Sequence, residues 1–165
     1  MFGEMRRKKQ ALPLEACEKI LERGTSGVLA LEGEEGYPYA VPLSYYYEKG
    51  KIFFHCGKSG YKIEALKRNE KVSFCVIDQD QIIPEEYTTY FRSVIVFGKI
   101  RILEGEGEKR RAIEKLALKY APEEPEEKTN RAIDREFSPL CMLELSIEHI
   151  SGKEAIELVR EKRER

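Results

Sequence analysis

The stretch SVIVFGKIRIL at residues 93–103 decides the fold class of this chain. Its side chains alternate between two series at a spacing of two residues. One series is Val94, Val96, Gly98, Ile100 and Ile102, and the other is Ile95, Phe97, Lys99 and Arg101. Successive side chains of a β-strand point to opposite faces of a sheet, so this period predicts a long strand.

Other segments on both sides of this stretch have the β-branched and aromatic composition of strands. They lie at residues 26–32, 37–47, 52–56, 72–77 and 140–150. Helical spacing of apolar residues predicts helices at 61–69, 108–120, 126–136 and 153–164, and one that opens at Pro13 and stops at Gly24. The polar residues 78–90 are predicted to form a loop, of a length that is often functional.

The order of these elements favours an antiparallel sheet. Strands do not alternate regularly with long helices, which argues against a doubly wound parallel sheet. A short polar loop joins 37–47 to 52–56 and predicts a hairpin. Pro38 and Pro42 must each face a sheet edge, a bulge or a ligand, because proline cannot donate to a ladder. We expect a mainly β protein, a small antiparallel barrel with peripheral helices.

Length and charge limit the classes of function. The 165 residues suit a single domain, with a basic arm at 1–12 and a charged C-terminal helix at 153–165. A net charge of −1, from 29 basic and 30 acidic residues, argues against a nucleic-acid partner. No apolar run reaches the ~20 residues of a membrane span. The basic start has no apolar stretch behind it, so we expect a cytoplasmic protein.

Motifs of several common enzymes are missing from the sequence. It contains no G-x-G-x-x-G, no P-loop, no G-x-S-x-G and no H-E-x-x-H. Its four cysteines form no C-x-x-C, and only two histidines accompany them, so neither a zinc site nor a disulfide framework is expected. We expect these thiols to be reduced and mostly buried.

The run FHCGKSGYK at residues 54–62 has the pattern of an anion-binding turn. It passes from a strand through small residues into the start of a helix, where free backbone N–H groups and the helix dipole attract negative charge. Lys58, Ser59 and Lys62 add donors, and Gly60 lets the backbone approach a phosphate. The alternative is an ordinary turn with its lysines in water.

Other residues leave both a functional and a structural interpretation open. Arg92 stands beside aromatic residues where a strand begins and is able to fork onto phosphate, although an arginine at a strand end is commonly a surface residue. The tyrosines at 45–47 could flank a planar ligand, but they are also typical of packing on a strand. His149 is assigned a structural role.

Four blocks in order resemble the flavin-binding split-barrel family typified by pyridoxamine 5'-phosphate oxidase, and most closely its nitroimidazole-resistance-like branch. The blocks are residues 5–9 (MRRKK), 36–44 (GYPYAVPLS), 54–62 (FHCGKSGYK) and 90–98 (YFRSVIVFG). None is specific alone, but their order and spacing cover roughly residues 5–150.

The resemblance implies a six-stranded antiparallel split barrel that forms a homodimer with two FMN molecules at the subunit interface. It places the FMN phosphate at Lys58, Ser59, Gly60 and Lys62. The flavin ring would run beside Val41, Pro42, Leu43 and Ser44, and further contacts would come from Arg92, Ser93 and Val94, across the interface. His55 matches the histidine of the family motif and is the candidate catalytic residue.

The chain departs from the family pattern at several points. The branch usually has alanine at the position of Gly57 and an acidic residue at that of Ser59, and neither change removes a cation. The arginine and histidine that bind substrate in the oxidase itself are not recognisable in residues 137–165, which disfavours pyridoxamine phosphate oxidation. No pattern of the family covers residues 78–90.

Three hypotheses for function follow from the resemblance. The first is an FMN-dependent reductase of small electrophiles such as nitro compounds or quinones, which receives electrons from a reduced nicotinamide or another donor. The second is a flavin-binding or sensing module without turnover. The third places haem or a deazaflavin in the same cleft, where haem would use His55 or His149 as an axial ligand.

Overall fold

The computed structural model of the protein describes residues 2–164. Its strands are β1 (Ala11–Leu12), β2 (Ser26–Glu32), β3 (Pro38–Ser44), β4 (Tyr46–Glu48), β5 (Lys51–Gly57), β6 (Lys71–Ile83), β7 (Thr88–Ile102) and β8 (Leu140–Glu154). Its helices are α1 (Leu14–Arg23), α2 (Tyr61–Arg68), α3 (Glu106–Tyr120), α4 (Glu126–Glu136) and α5 (Ile156–Arg163).

The strands form one antiparallel sheet in the order β3-β2-β6-β7-β8-β5-β4, with β1 on the end of β8. Six of them have seven residues or more. The two edges of the sheet are joined by the chain at Tyr45, and β3 contacts β5 without a ladder between them. This curled sheet, open along one seam and surrounded by helices, confirms the predicted split barrel.

The barrel interior is filled by the inward-facing side chains of the long strands. Phe74 contacts both Tyr45 and Phe54 edge to face, with ring centroids 5.1 Å apart in each pair, and all three side chains are fully buried. Such edge-to-face contacts match the positive edge of one ring to the negative face of another. The alternation expected in β7 is also present: Val94 and Val96 are buried, while their neighbours on the strand face outward.

The prediction of a loop at residues 78–90 is wrong. β6 continues to Ile83 and β7 begins at Thr88, so the two strands extend beyond the barrel as a paired arm. Pro84 lies in the turn at the tip, where Tyr87 adopts a left-handed conformation with φ 52°. Because much of the arm's surface is exposed on both sides, its sequence lacks the apolar alternation by which a half-buried strand is recognised.

The predicted end of the last strand is also wrong. β8 runs to Glu154, so Gly152 lies inside the strand, and the last helix begins only at Ile156 instead of at residue 153. A Cβ on Gly152 would lie 2.4 Å from Sγ of Cys17 on α1. This glycine therefore permits close packing of the helix against the strand rather than ending the strand.

The segment at 37–47, expected to be one strand, is divided into β3 and β4 by Tyr45. The hydroxyl group of Tyr45 donates a hydrogen bond to the Leu21 carbonyl oxygen (2.7 Å), which draws the residue into the core. The predicted hairpin is present between β4 and β5. Its turn residues, Lys49 and Gly50, both have positive φ, as the tightest hairpin turns require.

The basic arm lies against the outer face of the sheet. The Phe2 ring stacks on Phe97 of β7 and on His149 of β8, with centroids 5.2 Å and 4.5 Å apart. The buried amide of Gln10 donates to the Glu154 carbonyl oxygen at 2.9 Å. His149 thus has the structural role expected of it.

None of the helices within residues 2–164 is both long and apolar enough to span a membrane.

Candidate functional site

The turn between β5 and α2 has the geometry predicted for an anion site. β5 ends at Gly57 and α2 begins at Tyr61, so Lys58, Ser59 and Gly60 form the connection, and all three are exposed. Gly60 caps the helix with φ 119°, a conformation that side-chain-bearing residues rarely adopt. No side chain caps α2, which leaves the N–H groups of its first turn for an external acceptor.

The start of α2 is held in place by an aromatic side chain. The Tyr61 ring packs edge to face against Tyr39 of β3 at 4.6 Å, and its hydroxyl accepts a hydrogen bond from the Glu34 N–H at 2.7 Å. Ile63 and Leu66, on the face of α2 predicted to be apolar, are buried in the core. The turn is therefore anchored to the barrel on both sides.

Lys58 and Lys62 carry positive charge that the surrounding chain does not neutralise. Within residues 2–164, no carboxylate oxygen lies within 4.0 Å of either ammonium group, whereas Lys67, one turn further along α2, pairs with Glu64 at 3.4 Å. Two such cations beside the open start of a helix favour binding of a dianion such as a phosphate monoester.

The predicted ligand-facing segment of β3 lies at an edge of the sheet. β3 pairs only with β2 among the described strands, and Pro42, opposite Val28, faces outward as expected of a proline in an edge strand. Ser44 faces outward as well, whereas Val41 and Leu43 pack on the core. The free edge of β3 thus offers backbone groups to a ligand.

Ser44 and His55 are brought together in one cavity of about 210 Å³ near the seam between β3 and β5. The opposite wall is formed by α3, through Ile113, Leu116, Ala117 and Tyr120. The sequence showed the apolar face of this helix but not what it covers, so these four residues are missing from the predicted site. His55 is exposed and faces a largely apolar wall.

The third predicted group of site residues, at 92–94, lies far from the β5–α2 turn within one chain. Gly57 pairs with Leu140 at the start of β8, whereas Arg92 pairs with Glu154 at its end. One chain therefore does not bring Arg92 to the Lys58 turn. Val94 is 1% exposed, which leaves only its backbone for contact with a ligand.

Arg92 takes part in a network of ion pairs at the base of the β6–β7 arm. Its guanidinium group lies 3.2 Å from Oδ2 of Asp78 and 3.3 Å from Oε2 of the buried Glu154. Glu154 also accepts hydrogen bonds from Lys162 of α5, and Asp78 accepts two from Arg23 at 2.6 Å. The network joins the arm to α1, β8 and α5.

This network predicts a specific acid sensitivity. The hydrogen bonds from Arg23, and less strongly those from Arg92, lower the pKa of the Asp78 carboxyl group against the opposing effect of its burial. A pKa below that of the unfolded chain stabilises the fold above pH ~4, and the stabilisation is lost as the pH falls through the folded-state value. The free-energy difference between wild type and Asp78→Asn, from urea unfolding, is expected to shrink below pH ~4.

The matched control for this experiment is Asp80→Asn, on the same arm, where the carboxylate is exposed. It is expected to alter stability little at any pH in the series. A constant difference between wild type and Asp78→Asn from pH 7 down to pH 3 would contradict the assignment.

A family model described as pyridoxamine 5'-phosphate oxidase matches residues 13–154, which is most of the chain. The match includes the β5–α2 turn and the free edge of β3. The chain belongs to this family. No curated protein matches it. The matched region ends with β8 and excludes β1 and α5, so the family pattern covers β2 to β8 and α1 to α4.

Several solved structures are similar to this chain in fold, and two of the following three are described as FAD-binding proteins. A candidate 5-nitroimidazole antibiotic resistance protein of Bacteroides thetaiotaomicron is 22% identical, with 87% of this chain and 85% of that chain covered and a TM-score of 0.71. An FAD-binding protein of Mesorhizobium loti is 26% identical, with 88% and 97% covered and a TM-score of 0.67. An FAD- and haem-binding protein of Mycobacterium smegmatis is 19% identical, with 89% and 73% covered and a TM-score of 0.71. These similarities agree with the family's split-barrel fold.

Proposed function

We propose that this member of the family binds FMN as a homodimer and reduces small electrophiles such as nitro compounds or quinones. The observation that carries the proposal is the pair of cations, Lys58 and Lys62, which have no carboxylate oxygen within 4.0 Å in residues 2–164 and lie beside the start of α2, where no described side chain caps the helix. Family membership and the descriptions of two structural relatives as FAD-binding proteins support a flavin as the ligand.

The residues present fit the chemistry of FMN. A phosphate dianion needs cations and N–H donors without nearby carboxylates, and the turn supplies Lys58, Lys62 and the open helix start. A Cβ built on Gly60 meets no atom within 4 Å, so there is open space in front of the turn. The flat ring system needs an accessible backbone edge, which β3 provides at Pro42 and Ser44.

When bound, FMN supplies the redox chemistry, while the protein provides binding, orientation and protons. Lys58 and Lys62 would hold the phosphate, and the backbone of β3 would orient the ring. The apolar side chains of α3 restrict water in the small cavity beside Ser44. His55, exposed at this cavity, would be the proton donor to the reduced acceptor, because a histidine ring carries an N–H donor.

Turnover assays test the reductase part of the proposal. FMN-loaded protein is expected to oxidise a reduced nicotinamide in the presence of a nitroimidazole or a quinone, and His55→Ala is expected to slow the reaction while still binding FMN. A holoprotein inactive with a broad panel of acceptors would overturn the catalytic part and favour a flavin-binding module. A Soret band in place of flavin absorption would favour haem.

An apolar row on the outer face of the sheet supports the dimer. Pro42 of β3 lies opposite Val28, Val28 opposite Cys75, and Cys75 opposite Ile95, so the row crosses four strands. Val28 and Ile95 are each 40% exposed in the single chain. A second copy related by a two-fold axis would cover such a row with its own equivalent. It would also bring a second Arg92–Val94 segment to the site, which one chain alone does not do.

A charge in this row is expected to weaken the dimer. Ile95→Glu would bury an unpaired carboxylate at the interface and raise the dimer dissociation constant by ~10-fold or more. Analytical ultracentrifugation measures the change, and FMN affinity is expected to fall with it. Ile82→Glu is the matched control, since Ile82 is exposed on the β6–β7 arm, away from the row. Equal dissociation constants for both variants would contradict the interface.

A further inference from the structure

A second cavity, of about 520 Å³, lies beyond the β5–α2 turn. Lys58 and Lys67 line it on one side, and Lys109 of α3 and Phe137, just after α4, line it on the other. Its volume is within the range typical of ligand sites. Neither the residues of α3 nor the residues just after α4 that line this cavity belong to the predicted flavin site.

Lys109 is the decisive residue of this cavity. The residue is only 9% exposed, yet within the described part of the chain no carboxylate oxygen lies within 4.0 Å of its ammonium group. Its Nζ donates one hydrogen bond to the Phe137 carbonyl oxygen at 2.6 Å and lies 4.3 Å from the centroid of the Phe137 ring. These two contacts fix its position, but they do not neutralise a charge that is costly to bury.

Three lysines and two glutamates line the cavity. Burial, and next the positive charge of Lys58, lower the pKa of Lys109, so Lys58 disfavours the charged form of Lys109. Glu104 and Glu106 also line the cavity, and Glu106 partly opposes this effect. An anion held between Lys58 and Lys109 would relieve the repulsion and neutralise the buried charge.

We propose that this cavity binds the diphosphate of a nucleotide, with Lys109 and Lys58 holding the anion. The neighbouring Phe137 ring offers an apolar surface to the nucleoside. Because Lys58 belongs both to this cavity and to the proposed flavin-phosphate turn, the diphosphate could come from FAD, which would span the two sites, or from a reduced nicotinamide dinucleotide. The FAD source rests on the proposed flavin site, whereas nucleotide binding in the cavity does not.

Binding of ADP to the full-length protein tests the site without any flavin. Isothermal titration calorimetry is expected to show ADP binding to the wild type, weakened ~10- to 100-fold in Lys109→Met and retained in Lys109→Arg. Lys115→Met, also on α3, is the matched control, because Lys115 pairs with Glu48 outside the cavity. Unchanged ADP affinity in Lys109→Met, or no ADP binding to the wild type, would overturn the proposal.

A second measurement does not depend on a folded variant. ADP is expected to raise the thermal unfolding temperature of the wild type, while adenosine, which has no phosphate, is not. Equal shifts with both compounds would contradict a diphosphate site.

Titrations with FMN, FAD and NADPH identify the source of the diphosphate. FAD binding tighter than FMN, with the difference lost in Lys109→Met, supports one molecule across both sites. Equal FMN and FAD affinities, together with Lys109-dependent NADPH binding to FMN-loaded protein, support a nicotinamide dinucleotide. Failure of all flavins to bind would overturn the proposed function but would leave the ADP result to decide on the cavity.

Discussion

Replacing both Lys58 and Lys62 by alanine is expected to weaken FMN binding by about 2–6 kcal/mol if the two losses add. Lys62→Ala alone should cost about 1–3 kcal/mol, the typical value of one hydrogen bond to a charged group. The large effect is expected because, within residues 2–164, no carboxylate oxygen lies within 4.0 Å of either ammonium group, so neither cation is held in an ion pair. Fluorescence titration of the apoprotein with FMN measures both losses.

Riboflavin, which lacks the phosphate, is the control ligand, and its affinity is expected to be the same in the wild type and in the double variant. Lys19→Ala is the control protein, since it removes one positive charge from α1, where Lys19 pairs with Glu15 at 2.7 Å. Equal loss of riboflavin and FMN affinity would show that the two lysines support the shape of the turn and do not bind phosphate.

Phe74→Ala is expected to lower the free energy of unfolding by about 3–5 kcal/mol. The Phe74 ring is fully buried between Tyr45 and Phe54, so truncation leaves a cavity and removes two edge-to-face contacts. Denaturant unfolding measures the loss. This loss of stability is expected although the substitution does not alter any charged group of the β5–α2 turn.

Phe74→Leu provides the comparison, because leucine retains most of the apolar volume and is expected to cost about 1–2 kcal/mol less than full truncation. Tyr87→Ala, at the 97% exposed tip of the β6–β7 arm, is expected to lie within ~0.5 kcal/mol of the wild type. A cost for Phe74→Ala no larger than that of Tyr87→Ala would contradict the assignment of the barrel core.

Two features of the structure are predictable from local sequence, because in both the physical cause is local. The alternation at 93–103 identifies a half-buried strand, and in the structure residues 93–102 form the C-terminal part of β7, within the barrel. Small residues between a predicted strand and a predicted helix indicate the turn at 57–60. In the structure Gly60 has the positive φ that glycine permits. The resemblance added the arrangement of the barrel, which no local pattern contains.

Other features depend on contacts between residues distant in sequence. In the sequence Gly152 resembles a residue that ends a strand. The structure shows that it lies inside β8, where Cys17 of α1 packs closely against it. The β6–β7 arm is stabilised by its ladder and by the ion pairs of Asp78 and Glu154, none of which leaves an apolar period. Lys109 reads as one more surface lysine of a charged helix, and only the packing of Phe137 over it reveals a buried cation.

The absorption spectrum of the protein, purified and then saturated with FMN and freed of excess ligand, tests the central claim most directly. The account predicts a visible flavin band that corresponds to one FMN per chain and is retained through gel filtration. A colourless protein that also fails to bind FMN on titration would contradict it.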